Sequence, residues 1–251
     1  MFRNGQTSLI LLFVLGLLLI GVFASYFGGS DQNMRLEQEQ KSTDSVSLFV
    51  HSCLDKSIKN SIMIIGLQGG YYTLGEDVVA QGNLSVPIYF EGNSTSVPSI
   101  DRIELELSQS IAVQMDDCID GFSEFKNEGY DIQANSMQVE TNIGQNQITA
   151  ATTYPISVST KYKTITIDQF QSDLDFDFLT KYNAIQDLEE KQAEMSMYVP
   201  LGDLSTIALQ NHFKFDLLDV GDGTIVYFLI FNDTIQNKPF VFAFAHKYNE
   251  E

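Results

Sequence analysis

Residues 130–167, YDIQANSMQVETNIGQNQITAATTYPISVSTKYKTITI, carry the reading on which the fold turns. Ile132, Met137, Val139, Ile143, Ile148, Tyr154, Ile156, Val158, Tyr162, Ile165 and Ile167 tend to alternate with Thr, Ser and Gln. A period near two puts apolar side chains on one face and hydroxyls and amides on the other. With a turn at Gly144-Gln145-Asn146, the stretch reads as antiparallel sheet with one wet face. On its N-terminal side the period changes. From Ser99 to about Phe125, Ile103, Leu107, Ile111, Val113, Met115, Ile119, Phe122 and Phe125 supply most of one helical face. Further upstream, Ser42-Thr43-Asp44 reads as a helix start. Val46, Phe49, Val50, Cys53, Leu54, Ser57, Ile58 and Ile62 then recur at three- and four-residue spacing, up to about Gly66. The Gly-rich run from Gly66 to Tyr72 lacks the Lys-Ser/Thr of a phosphate loop and reads as a C-cap and turn. On the C-terminal side a third helix is expected over Asp175 to Met197. Two strands follow, Ile225 to Phe231 and Pro239 to Tyr248, joined by Asn232 to Lys238. Helices and strands segregate along the chain, so the class is α+β, with long helices packed on an antiparallel sheet.

The N-terminus obeys a different rule. Thr7 to Phe27 contains no charged residue, and as a helix it would span ~31 Å, the thickness of a bilayer core. Arg3 and the α-amine precede it, while Asp31, Glu37 and Glu39 follow, which places the N-terminus in the cytoplasm and the remainder outside. The expected organisation is a cytoplasmic leader over 1–6, a transmembrane helix over 7–27, a polar linker over 28–43 and an acidic extracytoplasmic domain over 44–251. A cleavable secretory signal is the competing reading, since Val22-Phe23-Ala24 offers small residues before Ser25.

Composition limits the partners. The chain has 251 residues, of which 44% are apolar, including 18 Phe and 11 Tyr, enough for a packed core. Against 33 acidic residues there are 14 basic ones, a formal charge of −19, which repels phosphate backbones and excludes nucleic acid as an expected partner. Cys53 and Cys118 both fall on inward helix faces. Outside the cytosol a disulfide between them is expected and would stabilise the fold by up to ~4 kcal/mol; buried free thiols are the alternative. Asn83, Asn93 and Asn232 head glycosylation sequons. The first two lie in a Gly/Pro/Ser-rich stretch from Gly82 to Ser99 that reads as an exposed loop, and the third in the final hairpin turn.

Residue patterns for chemistry are sparse. His51, His212 and His246 belong to no metal-ligand spacing, and His51 points away from Cys53 on a helix. Asp173, Asp175 and Asp177 read as compensation of a helix N-terminus. Asp216, Asp219 and Asp222, with Gly221 and Gly223, read as a turn leading into Ile225 rather than a calcium loop. No catalytic, cofactor-binding or metal residue is therefore assigned.

Arg3-Asn4-Gly5-Gln6-Thr7-Ser8-Leu9, followed at once by the apolar helix, resembles the class III signal peptide of archaeal type IV pilin-like proteins. The resemblance implies processing between Gly5 and Gln6, with the helix retained. It departs at Ile10, where that family usually carries a Glu that pairs with a neighbouring subunit's new amino terminus. The body, through Phe49-Val50-His51-Ser52-Cys53-Leu54, Gly66-Leu67-Gln68-Gly69-Gly70-Tyr71, Cys118-Ile119 and Tyr154-Pro155-Ile156, resembles uncharacterised membrane-anchored ectodomains of small-genome archaea. The expectation is a non-enzymatic surface protein touching lipid through its helix and other pilin-like subunits or surface proteins through its domain. The alternative is a solute-, cation- or host-binding ectodomain.

Overall fold

The structure is a computed structural model that describes residues 43–248, except Asn83, Asn93 and residues 160–162. The leader, the apolar run and nearly all of the linker lie outside the described residues. Among the described residues no helix is long and apolar enough to cross a membrane.

Helix α1 occupies residues 43–67 and helix α2 Ile100–Ile119. Val46, Val50, Leu54, Ile58, Ile62 and Ile65 form the buried stripe of α1. Ile103, Leu107, Ile111, Met115 and Ile119, four residues apart, form that of α2. The helices run antiparallel. Cys53 and Cys118 are disulfide-bonded with Cα atoms 5.7 Å apart, and Gln114 Nε2 donates to Ser61 Oγ at 2.6 Å. Ser99 caps α2 by accepting from the Arg102 amide at 3.3 Å. The helix does not continue to Phe125. Asp120, Gly121 and Phe122 all take positive φ, which breaks it and buries Phe122 before the short α3, Ser123–Asn127.

Two sheets flank this helix pair. The first joins β1 (Val78–Gln81), β2 (Leu84–Glu91), β10 (Lys238–Lys247), β9 (Thr224–Ile235) and β8 (Phe213–Gly221) in that order, with β3 (Ser94–Thr95) paired to β2. It is mixed rather than antiparallel, because β2 runs parallel to β10. The second centres on β6 (Gln147–Ser159). Strand β7 (Thr164–Asp175) lies along one side, and β4 (Asp131–Ala134) then β5 (Gln138–Ile143) lie end to end along the other. Every second residue of β6 from Ile148 to Val158 is buried, so the alternation in the sequence is the pleat of this sheet.

Helix α4 spans Phe178–Glu194 and α5 Leu201–Gln210. The third helix is thus shorter than expected, and α5 and β8 were not foreseen. Three further expectations fail. The stretch from Gly82 to Ser99 is not a loop throughout: β2 buries Val86, Tyr89 and Phe90 inside the first sheet. The final hairpin turns on two residues, Gln236 and Asn237, both at positive φ as a tight primed turn requires. Asn232 therefore sits within β9, not in the turn.

Two cores result. One joins Ile62, Ile65, Ile103 and Leu107 to α4, α5 and the first sheet. The other joins the first half of α1 and the second half of α2 to the second sheet. Both are threaded on the same pair of helices.

Candidate functional site

On β10, Phe240, Phe242, Phe244 and His246 are alternate residues, and all four side chains are fully buried. On α4, the spacing of Ile185, Leu188, Glu189 and Gln192 turns four buried side chains toward the sheet. The two patterns meet in a polar cluster set among aromatic rings. His246 Nε2 lies 2.6 Å from Glu189 Oε1, and Nδ1 lies 3.1 Å from Gln192 Oε1. Tyr248 Oη donates to the same Gln192 oxygen at 2.8 Å and sits 2.6 Å from Tyr227 Oη. Gln192 Nε2 donates to the main-chain carbonyls of Met195 (2.9 Å) and Tyr198 (3.2 Å), which fixes which end of the amide is nitrogen. Facing a carbonyl oxygen, Nδ1 of His246 must carry hydrogen, so Nε2 shares a proton with the Glu189 carboxyl.

Burial raises the Tyr227 phenol far above its ordinary value, aided by its hydrogen bond to Tyr248 and by the proximity of that second phenol. Burial likewise pushes Tyr248 up to about 12, against the lowering influence of its bond to Tyr227. Glu189 Oε2 is buried without a hydrogen-bond partner among the described residues. Both imidazole nitrogens are occupied by protein oxygens, so the ring offers no nitrogen to a substrate or metal. The cluster fastens α4 to β9 and β10, and through Gln192 it holds the chain that leaves α4.

That chain is the other notable feature. From the end of α4 to the first residue of α5, Met195, Met197, Tyr198 and Leu201 are exposed, while Pro200 is buried. Glu190 and Glu194 precede them on α4 and Asp203 follows them on α5. Lys191 donates to Glu194 at 2.8 Å, and that bond, together with the charges of Glu194, Asp203 and Glu190, holds its ammonium above the usual lysine range.

A second buried carboxylate closes the Gly-rich turn after α1. Glu106 Oε2 accepts from the Tyr72 and Thr73 amides at 2.9 Å each, with Arg102 Nη2 2.5 Å from Oε1. The turn itself starts with Gly70 N donating to Ile65 O at 2.8 Å, so Gly66 to Tyr72 terminates a helix as its composition suggested.

The remaining sequence candidates are dispersed. Cys53 and Cys118 come together as the disulfide. Asn83 and Asn93, with Gly5 and Gln6, lie outside the described residues. Asn232 is exposed and donates Nδ2 to His212 O at 2.7 Å. Asp177 caps α4 by accepting from the Thr180 amide at 3.0 Å, whereas Asp173 and Asp175 belong to β7. Asp216 and Asp219 belong to β8, and Asp222-Gly223 forms the turn into β9. Among the described residues no three His, Cys, Asp or Glu side chains converge as metal ligands. His51 packs edge-on against Phe170. Histidine spacing alone does not single out His246, one of three scattered along the chain. The alternation Phe240, Phe242, Phe244, His246 was the available sign that its ring would be buried and need partners.

No protein-family model, curated protein or solved structure matches the chain.

Proposed function

We propose that the chain is a membrane-anchored cell-surface protein whose acidic domain works through protein contacts, as a pilin-like structural or minor filament subunit. The observation that carries the export half of this reading is the Cys53–Cys118 disulfide, since such bonds persist in oxidising compartments. The uncharged run from Thr7 to Phe27 supports the anchor, and Gly5-Gln6 before it supports pilin-type processing. The polar network around His246 supports a structural rather than catalytic role, because its ring nitrogens are taken up by Glu189 and Gln192.

Membrane fractionation with N-terminal sequencing of the mature chain is the test. Recovery in the membrane fraction with a start at Gln6 is the expected result. A start at Met1 in that fraction would leave an anchored ectodomain without pilin-type processing. A start at Ser25 in the medium would remove the anchor as well.

A further inference from the structure

We infer that the α4–α5 connection is a docking surface for an apolar segment of another protein that carries basic residues on its flanks. Four large apolar side chains stand exposed within seven consecutive residues: Met195 at 45%, Met197 at 55%, Tyr198 at 70% and Leu201 at 53%. Single exposed apolar side chains are ordinary on a monomer, whereas a contiguous group marks an interaction site. Methionine and tyrosine are also residue types enriched where proteins meet.

The segment is held in place. Gln192, fully buried, donates to the carbonyls of Met195 and Tyr198, and is gripped from beneath by His246 and Tyr248. Tyr198 N donates to Met195 O at 3.3 Å and Leu201 N to Val199 O at 2.8 Å. An apolar surface whose backbone is already ordered loses less conformational freedom when a partner arrives.

Charge selects the occupant. Glu190 and Glu194 at the C-terminal end of α4 and Asp203 in the first turn of α5 flank the group along the chain, and their charges act together on Lys191, which is engaged with Glu194. A second copy would set acidic border against acidic border, on a chain of formal charge −19. A segment with Lys or Arg beside its apolar residues matches both features. Placement argues against lipid as the occupant, and here the inference rests on the anchored reading. The linker from the anchor would join α1 at residue 43, at the end of the helix whose Val46 and Val50 pack in the core built on the second sheet. The α4–α5 connection belongs to the core at the opposite end of α1, which is roughly 37 Å long at the helical rise.

The test is oxidative footprinting of the full chain in phosphatidylcholine nanodiscs, following peroxide oxidation of Met195 and Met197 by mass spectrometry. Three peptides are compared with free peptide in excess: an amphipathic leucine–lysine helix, a serine–lysine peptide of equal charge, and a leucine–glutamate helix. The leucine–lysine helix is expected to slow oxidation of both methionines about tenfold, the other two peptides little, with Met137 on the second-sheet side unchanged. Glu190→Lys with Glu194→Lys is expected to abolish the protection, and Tyr198→Ser to weaken it. All three side chains are exposed, so these variants fold. Equal protection by the leucine–glutamate helix, or none by the leucine–lysine helix, would overturn the inference. So would protection without peptide: if it grows with protein concentration the occupant is a second copy, and if it appears with nanodisc lipid but not in detergent it is the bilayer. None of these outcomes alters the processing result above.

Discussion

His246 is the residue where the most is concentrated in the least space. Its ring is fully buried, yet Nε2 meets a carboxylate and Nδ1 an amide oxygen, so neither nitrogen is stranded. Removing one side of such a pair leaves the other buried without a partner. Glu189→Ala is therefore expected to cost about 3 kcal/mol in urea unfolding, well beyond the contact it deletes. The double replacement Glu189→Leu with His246→Phe should recover much of that loss, and simple additivity of the two single changes would refute the coupling. The tyrosines beside them give a pH signature. Tyr227 and Tyr248 both ionise at higher pH when folded than the ordinary phenol value of 10.0. Their contribution is thus complete below about pH 10 and is lost as pH climbs from there towards 12, because only the unfolded chain releases those protons. Urea midpoints should fall across that interval, and Tyr227→Phe should flatten the fall. A midpoint as steep in the variant as in the parent would show that other groups carry the effect.

At the scale of elements, the end of α1 shows packing overruling propensity. Gly66 lies within the last helical turn, where alanine would ordinarily gain up to about 1 kcal/mol. A Cβ there, however, would meet Val241 O at 2.5 Å and the Phe240 ring at 2.6 Å. Gly66→Ala is expected to destabilise by about 1–3 kcal/mol, read as a lower thermal midpoint; a rise would mean that β10 can move aside. The same contrast explains what could be read in the sequence. The stripes of α1 and α2 and the alternation of β6 were legible because each buries one face, which leaves a periodic record. Strand β2 was not. Asn, Ser, Pro and Gly surround it, and its place beside β10 comes from a partner far along the chain. Helix α5 leaves no clear periodic record, because it is short and exposes Leu201 and Leu209. In the polar cluster, Glu189 and Gln192 kept helical spacing with Ile185 and Leu188, but nothing local pointed to His246 as their partner.

For the whole molecule, the decisive fact is that two cores share one pair of helices. Loss of partners along either half of α1 is therefore expected to loosen the other. Unfolding is expected to be a single transition, with tyrosine signals from the first sheet and amide exchange in β6 reporting the same midpoint. Reducing Cys53–Cys118 should lower that midpoint, through a stability loss of up to ~4 kcal/mol in the chain-entropy description, while leaving one transition. Two separated transitions in either state would show that the sheets are independent units. A single one would make the helix pair the element through which force or binding at one sheet is felt at the other.

The parallel pairing of β2 with β10 also sets a timetable. Strand β10 is among the last residues described, yet it lies between β2 and β9 in the middle of its sheet. A chain emerging from a ribosome or a translocation channel in sequence order has Val86, Tyr89 and Phe90 outside long before Phe240, Phe242 and Phe244 arrive to cover them. Closure of that sheet must wait until the tail has been delivered, and until then its apolar strands are open to any companion that shields them.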